Sequence, residues 1–91
     1  MHERIRRLLQ RTVDMDGSDL HFKTDTGKIY VRVYGDLVEL TDEPPFLSKE
    51  FGECLFEMFS KEQINRYYKE HDLDFATEIP GLARFRGNVY Q

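Results

Sequence analysis

Apolar residues recur along the chain with two different periods, and the switches between them mark out its elements. From His2 to about Val13, residues Ile5, Leu8, Leu9, Thr12 and Val13 fall at i, i+3, i+4, i+7 and i+8, the stripe of an amphipathic helix whose opposite side is arginine. Asp16-Gly17 breaks that helix. Alternation then takes over, with Leu20 and Phe22 on one face and Asp19, His21 and Lys23 on the other. After a turn at Asp25-Thr26-Gly27, Ile29, Val31 and Val33 point inward while Tyr30, Arg32 and Tyr34 point outward. A tight turn at Gly35-Asp36 leads into a third strand from Leu37 to Thr41. Asp42-Glu43-Pro44-Pro45 is a stiff acidic loop, because proline continues neither a strand ladder nor a helix interior. Helical spacing returns at Ser48, which caps a helix carrying Phe51, Cys54, Leu55, Met58 and Phe59 on one stripe. Ser60 with Gln63 forms a capping box for another helix, with Ile64, Tyr67 and Tyr68 facing the core.

Two strand-like runs, 72–79 and 83–90, close the pattern. A two-residue loop at Pro80-Gly81 would pair Ile79 with Leu82 and put the two apolar sets on opposite faces. A three-residue loop, Pro80-Gly81-Leu82, pairs Ile79 with Ala83 and brings Leu73, Phe75, Thr77, Phe85, Gly87 and Val89 onto one buried face. Glu78 then lies opposite Arg84 and Ala76 opposite Arg86, with Asp74 and Glu78 diagonal to Arg86. The order α-βββ-αα-ββ predicts an α+β domain, an antiparallel sheet with helices on one face.

Composition narrows the classes. Ninety-one residues make one domain with a modest core. The net charge of -4 opposes nucleic acid, and an RNA-recognition face built from Tyr30, Arg32, Tyr34, Arg84, Arg86 and Tyr90 lacks the expected sequence run and has Asp74 and Glu78 among its arginines. The charge is segregated: Arg4, Arg6, Arg7 and Arg11 stand against Glu3 at the start, while residues 36–57 hold seven acids against Lys49 alone. Such blocks are usually solvated faces, and a polar partner surface is the other reading. With Cys54 as the only cysteine there is no intrachain disulfide, and no apolar run is long enough for a membrane span or a signal peptide. The chain reads as cytoplasmic, with no direct membrane insertion. The strand pattern running on through Val89-Tyr90-Gln91 points to a truncated piece of a longer protein.

Residues for catalysis are not arranged for it. There is no G-x-x-x-x-G-K-[ST] loop, so the chain by itself is not expected to hydrolyse ATP. His2, His21 and His71 are not at metal-ligand spacing, and no metal is expected. Ser18, Asp19 and His21 share one short strand on which Ser18 points away, so they make no nucleophile and base pair. Cys54 lies on an apolar helix stripe, where a buried thiol is inert.

Ser18-Asp19-Leu20-His21 after an amphipathic helix, Val33-Tyr34-Gly35-Asp36-Leu37 in the meander, and Pro80-Gly81-Leu82-Ala83-Arg84-Phe85-Arg86 together resemble the amino-terminal domain of the type IV pilus retraction (twitching motility) ATPases, in the secretion ATPase superfamily. Gly87 and Tyr34 depart from that pattern, where an apolar and an acidic residue would be expected. The resemblance implies a PAS-like domain that precedes a RecA-like ATPase domain with its phosphate loop, in a homohexameric ring using ATP and Mg. It also implies partners: the chain's own RecA-like domain, neighbouring subunits, and an inner-membrane pilus platform protein that would hold the motor peripherally at the membrane. Arg86 matches the arginine with which that family's amino-terminal domain reaches the nucleotide, Arg84 stands beside it, and Ser18, Asp19 and His21 form the shared motif. A stand-alone PAS-like module binding a small ligand or a protein is the alternative.

Overall fold

The computed structural model describes residues 3–79 and 83–90, apart from the side chains of residues 48, 55, 56, 79 and 83–85. Eight elements follow in order: α1 (Glu3–Asp14), β1 (Gly17–Lys23), β2 (Lys28–Val33), β3 (Asp36–Glu39), α2 (Ser48–Met58), α3 (Lys61–Glu70), β4 (Asp72–Ile79) and β5 (Ala83–Tyr90). The α-βββ-αα-ββ order is the one the periodicity predicts. The strands form one sheet in the order β3-β2-β1-β5-β4.

Every neighbouring pair is antiparallel except β1 and β5, which run parallel, so the sheet is mixed rather than wholly antiparallel. The reason lies in connectivity. Hairpins force antiparallel neighbours, but β5 reaches β1 only after the chain has passed through α2, α3 and β4, and a crossover of that length permits a parallel pair. The β4–β5 register is the one that a three-residue loop imposes, with Ile79 opposite Ala83, Phe75 opposite Gly87 and Leu73 opposite Val89. The loop residues Pro80, Gly81 and Leu82 lie outside the described residues.

One face of the sheet carries the core. Leu20, Phe22, Ile29, Val31, Leu73 and Val89 meet Ile5, Leu8 and Leu9 of α1, Phe51 and Cys54 of α2 and Tyr67 of α3, all buried. An aromatic chain runs through it: Phe22, Phe46, Phe51 and Tyr67 stack edge to tilt with successive centroids 5.3, 6.1 and 5.6 Å apart. On the stripe of α2, Phe51 and Met58 pack inward as expected, while Leu55 lies outside the described side chains. Ser60 and Gln63 form the reciprocal capping box of α3, with backbone-to-side-chain distances of 2.9 and 3.2 Å. Tyr68 departs from its expected core position: it is 62% exposed, because the sheet takes only Tyr67 and part of Ile64 from that helix.

The β2–β3 hairpin also differs in detail. Val33 pairs with Asp36, so the two loop residues are Tyr34 and Gly35 rather than Gly35 and Asp36. Both have positive φ, 49° and 85°, as a type I′ turn demands, and Tyr34 is therefore a turn residue at the hairpin tip instead of a strand residue.

Candidate functional site

The sheet face turned away from the helices holds a polar lattice whose rows follow from strand register. One row crosses the sheet from Leu37 through Arg32, Asp19 and Arg86 to Ala76. The next runs from Glu39 through Tyr30, His21 and Asn88 to Asp74, and a third through Lys28, Lys23 and Tyr90 to Asp72. Alternation along each strand puts these residues on the side opposite the core.

Asp19 is the centre of the first row. Its Oδ2 lies 3.6 Å from Arg32 Nε on β2, and its Oδ1 lies 3.8 Å from Arg86 Nε on β5. Ser18 Oγ donates to the same carboxylate at 3.3 Å, and Arg32 Nη1 donates to the carbonyl of Gly35 at 3.0 Å. The β1–β2 register shifts between Gly17 and Asp19, a bulge next to the residue on which the row depends. Asp19 keeps 17% of its side chain exposed and Arg32 keeps 40%, whereas Arg86 stands out into solvent at 84%.

This differs from the charge pairs expected across the β4–β5 hairpin. Glu78 is opposite Arg84 and Ala76 opposite Arg86 as expected, but Asp74 is engaged elsewhere: Asn88 donates to it at 2.6 Å and to Asp72 at 2.7 Å. The carboxylate that Arg86 meets comes from its other neighbour, β1. The side chain of Arg84 lies outside the described residues.

His21 sits in the second row, half-buried, with Nε2 enclosed and without a hydrogen-bond partner. Burial, and next the charge of Arg32, push its pKa below the ordinary value, while Asp19, Asn88 and Asp74 pull the other way. The shift favours the neutral imidazole, and the Ser18 hydroxyl turns to Asp19. A shallow groove of about 550 Å³ opens beside it, bordered by Arg32, Leu37, His71 and Tyr90. Cys54 is buried, and burial with the nearby Glu50 pushes its thiol up to about 12, so it carries no thiolate chemistry. Among the described residues, no three His, Cys, Asp or Glu side chains converge to hold a metal ion, and no helix is long and apolar enough to cross a membrane.

Three arginines and three acids of the segregated charge blocks pair with one another on the other side of the molecule. Arg7 grips Glu43 with two hydrogen bonds of 2.7 and 2.8 Å; Arg11 reaches Glu43 at 2.9 Å and Asp42 at 2.8 Å. Arg4 pairs with Glu50 and donates to the Pro44 carbonyl, its guanidinium 4.7 Å above the Phe46 ring. Arg4, Arg7 and Arg11 of α1 and the acidic loop are thus each other's partners.

No family model matches the chain. The type IV pilus retraction ATPase PilT of Pseudomonas aeruginosa is 30% identical over 86 residues, 94% of this chain and 24% of that protein. A twitching motility protein of Neisseria gonorrhoeae is 30% identical over 60 residues, 66% of this chain and 16% of that protein. A crystal structure of the pilus retraction motor PilT with bound ADP superimposes with a TM-score of 0.65 at 23% identity, covering 91% of this chain and 24% of that one. The chain thus has the fold of a pilus-motor domain. More particularly, it is homologous to the type IV pilus retraction ATPases and corresponds to their amino-terminal domain. It spans about a quarter or less of the length of the relatives it matches.

Proposed function

We propose that the chain is the assembly and regulatory domain of a type IV pilus retraction ATPase, and that the helix-free face of its sheet meets nucleotide and the RecA-like domain. The observation that carries this reading is the extent of the homology, 94% of the chain against a retraction ATPase. The charge distribution supports it. Arg4, Arg7 and Arg11 are engaged within the domain, whereas Arg86 is 84% exposed and, among the described residues, is met from one side by Asp19. A guanidinium there stays charged and can grip phosphate oxygens with two donors, adding positive charge where the transition state of phosphoryl transfer gathers negative charge. Arg84, two residues away on the same strand, belongs to the same reading. ATP and Mg are then cofactors of the whole motor rather than of this domain, and neighbouring subunits and a membrane platform protein are its partners.

The test is Arg86→Ala in the motor that carries this domain. Turnover should fall by roughly an order of magnitude or more, the scale of losing one preorganised charge at a transferring phosphoryl group, while the melting temperature of the 91-residue chain stays nearly constant. Equal turnover in mutant and parent overturns the nucleotide role, and a large loss of domain stability makes Arg86 a structural residue instead.

A further inference from the structure

We infer that Asp19 is a positioning residue for Arg86, fixing the direction in which its guanidinium is presented from the sheet. The inference rests on the proposed nucleotide role of Arg86 for its functional consequence, but its structural part stands alone.

Asp19 lies on β1 between β2 and β5, with Arg32 as register partner on one side and Arg86 on the other. Its two oxygens are divided between them. Oδ2 faces Arg32 Nε at 3.6 Å and receives the Ser18 hydroxyl at 3.3 Å; Oδ1 faces Arg86 Nε at 3.8 Å. Arg32 is itself tied to the hairpin tip through the Gly35 carbonyl at 3.0 Å. The carboxylate is therefore flanked on one side by the Ser18 hydroxyl and by a cation that is tied to the hairpin tip. Only the other oxygen is left for Arg86.

Which nitrogen is held decides the consequence. An arginine gripped by its two terminal nitrogens has spent its bidentate fork, but one approached at Nε keeps both terminal amines free for a planar anion. Arg86 is met at Nε and is 84% exposed, so the fork is directed outward. One carboxylate shared between two guanidiniums also leaves the row with a net positive charge, so an incoming phosphate is still attracted. A free arginine side chain spreads over many rotamers, and restricting them before the anion arrives lowers the cost of the productive geometry.

Asp19 has two opposed effects on an anion at Arg86, and that opposition distinguishes positioning from mere packing. Its negative charge weakens ground-state attraction, while its tether favours the reactive geometry. Asp19→Asn keeps the shape, removes the charge and loosens the tether. In the motor, KM for ATP should then stay level or fall while kcat drops roughly three- to tenfold, which is a fraction of an arginine's rotamer entropy expressed as a rate. In an Arg86→Ala background the same substitution should change kcat by less than about twofold, because a residue acting through another has nothing left to act on. Asp19→Glu should restore part of the loss.

In the 91-residue chain, relaxation of the arginine Nε–H groups by NMR reads the tether without any turnover. Arg86 Nε should be more ordered in the parent than in Asp19→Asn, with the melting temperature little changed. Equal Arg86 Nε order in parent and variant overturns the positioning inference, whatever the ATPase assay shows. A raised KM with kcat unchanged, or an undiminished Asp19→Asn effect in the Arg86→Ala background, overturns it as well. If Arg86→Ala leaves turnover unchanged while the NMR difference is present, the nucleotide reading fails and the tether survives as a structural fact.

Discussion

Glu43 should act as an acid-sensitive clamp between the proline loop and α1, and Glu43→Gln should release it at neutral pH. The side chain is 6% exposed, is gripped bidentately by Arg7 at 2.7 and 2.8 Å, and is reached by Arg11 at 2.9 Å and Arg4 at 4.0 Å. The Arg7 hydrogen bonds are the main cause, with Arg11 adding to them against the opposing effect of burial, and together they bring its pKa from 4.5 down to about 2. At ~1.4 kcal/mol for each tenfold change in proton affinity, that drop corresponds to about 3 kcal/mol as an upper bound. Arg7 is half exposed and regains water when its partner goes, so the net loss in Glu43→Gln should be about 1 to 3 kcal/mol. Because the folded pKa is depressed, the contribution is complete above the unfolded value of about 4.5 and is lost as pH falls toward 2. Urea denaturation of parent and variant at a series of pH values reads this directly. The gap between their midpoints should be widest near pH 7, begin to close below about pH 4.5 and vanish near pH 2, where a protonated Glu43 resembles glutamine. A gap that stays constant from pH 7 to 2, or no gap at pH 7, refutes the clamp.

Gly17→Ala should destabilise the chain by about 1 to 3 kcal/mol, the usual cost of overpacking. An added Cβ would sit 2.4 Å from Val31 Cγ1 and 3.1 Å from the Thr12 carbonyl, and neither a fully buried, β-branched valine nor a helix backbone gives way easily. A thermal midpoint equal to the parent's would show that β1 can shift away from α1. Cys54, buried and with its thiol raised to about 12, should resist thiol reagents at pH 8 in the folded chain and react only as the chain opens. Labelling without denaturant at the rate of a free thiol would contradict that burial.

How far the fold could be read from sequence depends on what kind of information each feature carries. The β4–β5 register was legible because side chains alternate with period two: a slip by one residue would have turned Leu73 and Val89 to opposite faces. The capping box at Ser60 was legible because both of its hydrogen bonds are local. The Arg7–Glu43 and Arg11–Asp42 pairs were not, since residues more than thirty positions apart leave only two blocks of opposite charge and no sign that they face each other. Tyr34 read as a strand residue because alternation continues through it, and only the pairing of Val33 with Asp36 shows it in the turn.

The parallel pairing of β1 with β5 bears most on the candidate site. Apolar alternation is blind to direction: Leu20 and Phe22 present the same face whichever way the adjacent strand runs. On the sequence, Asp19 and Arg86 therefore stand apart, in two motifs on different strands, and the hairpin alone offers Arg86 its acids. Strand order joins them. With β5 inserted between β4 and β1, Arg86 acquires a second neighbour, and parallel register sets Asp19 opposite it and His21 opposite Asn88. Asn88 in turn occupies Asp72 and Asp74, the latter one of the acids diagonal to Arg86 across the hairpin. The contact between the two motifs is thus a consequence of the crossover. A substitution that shifted β5 by one residue against β1 would turn Arg86 away from this face and into the core side of the sheet.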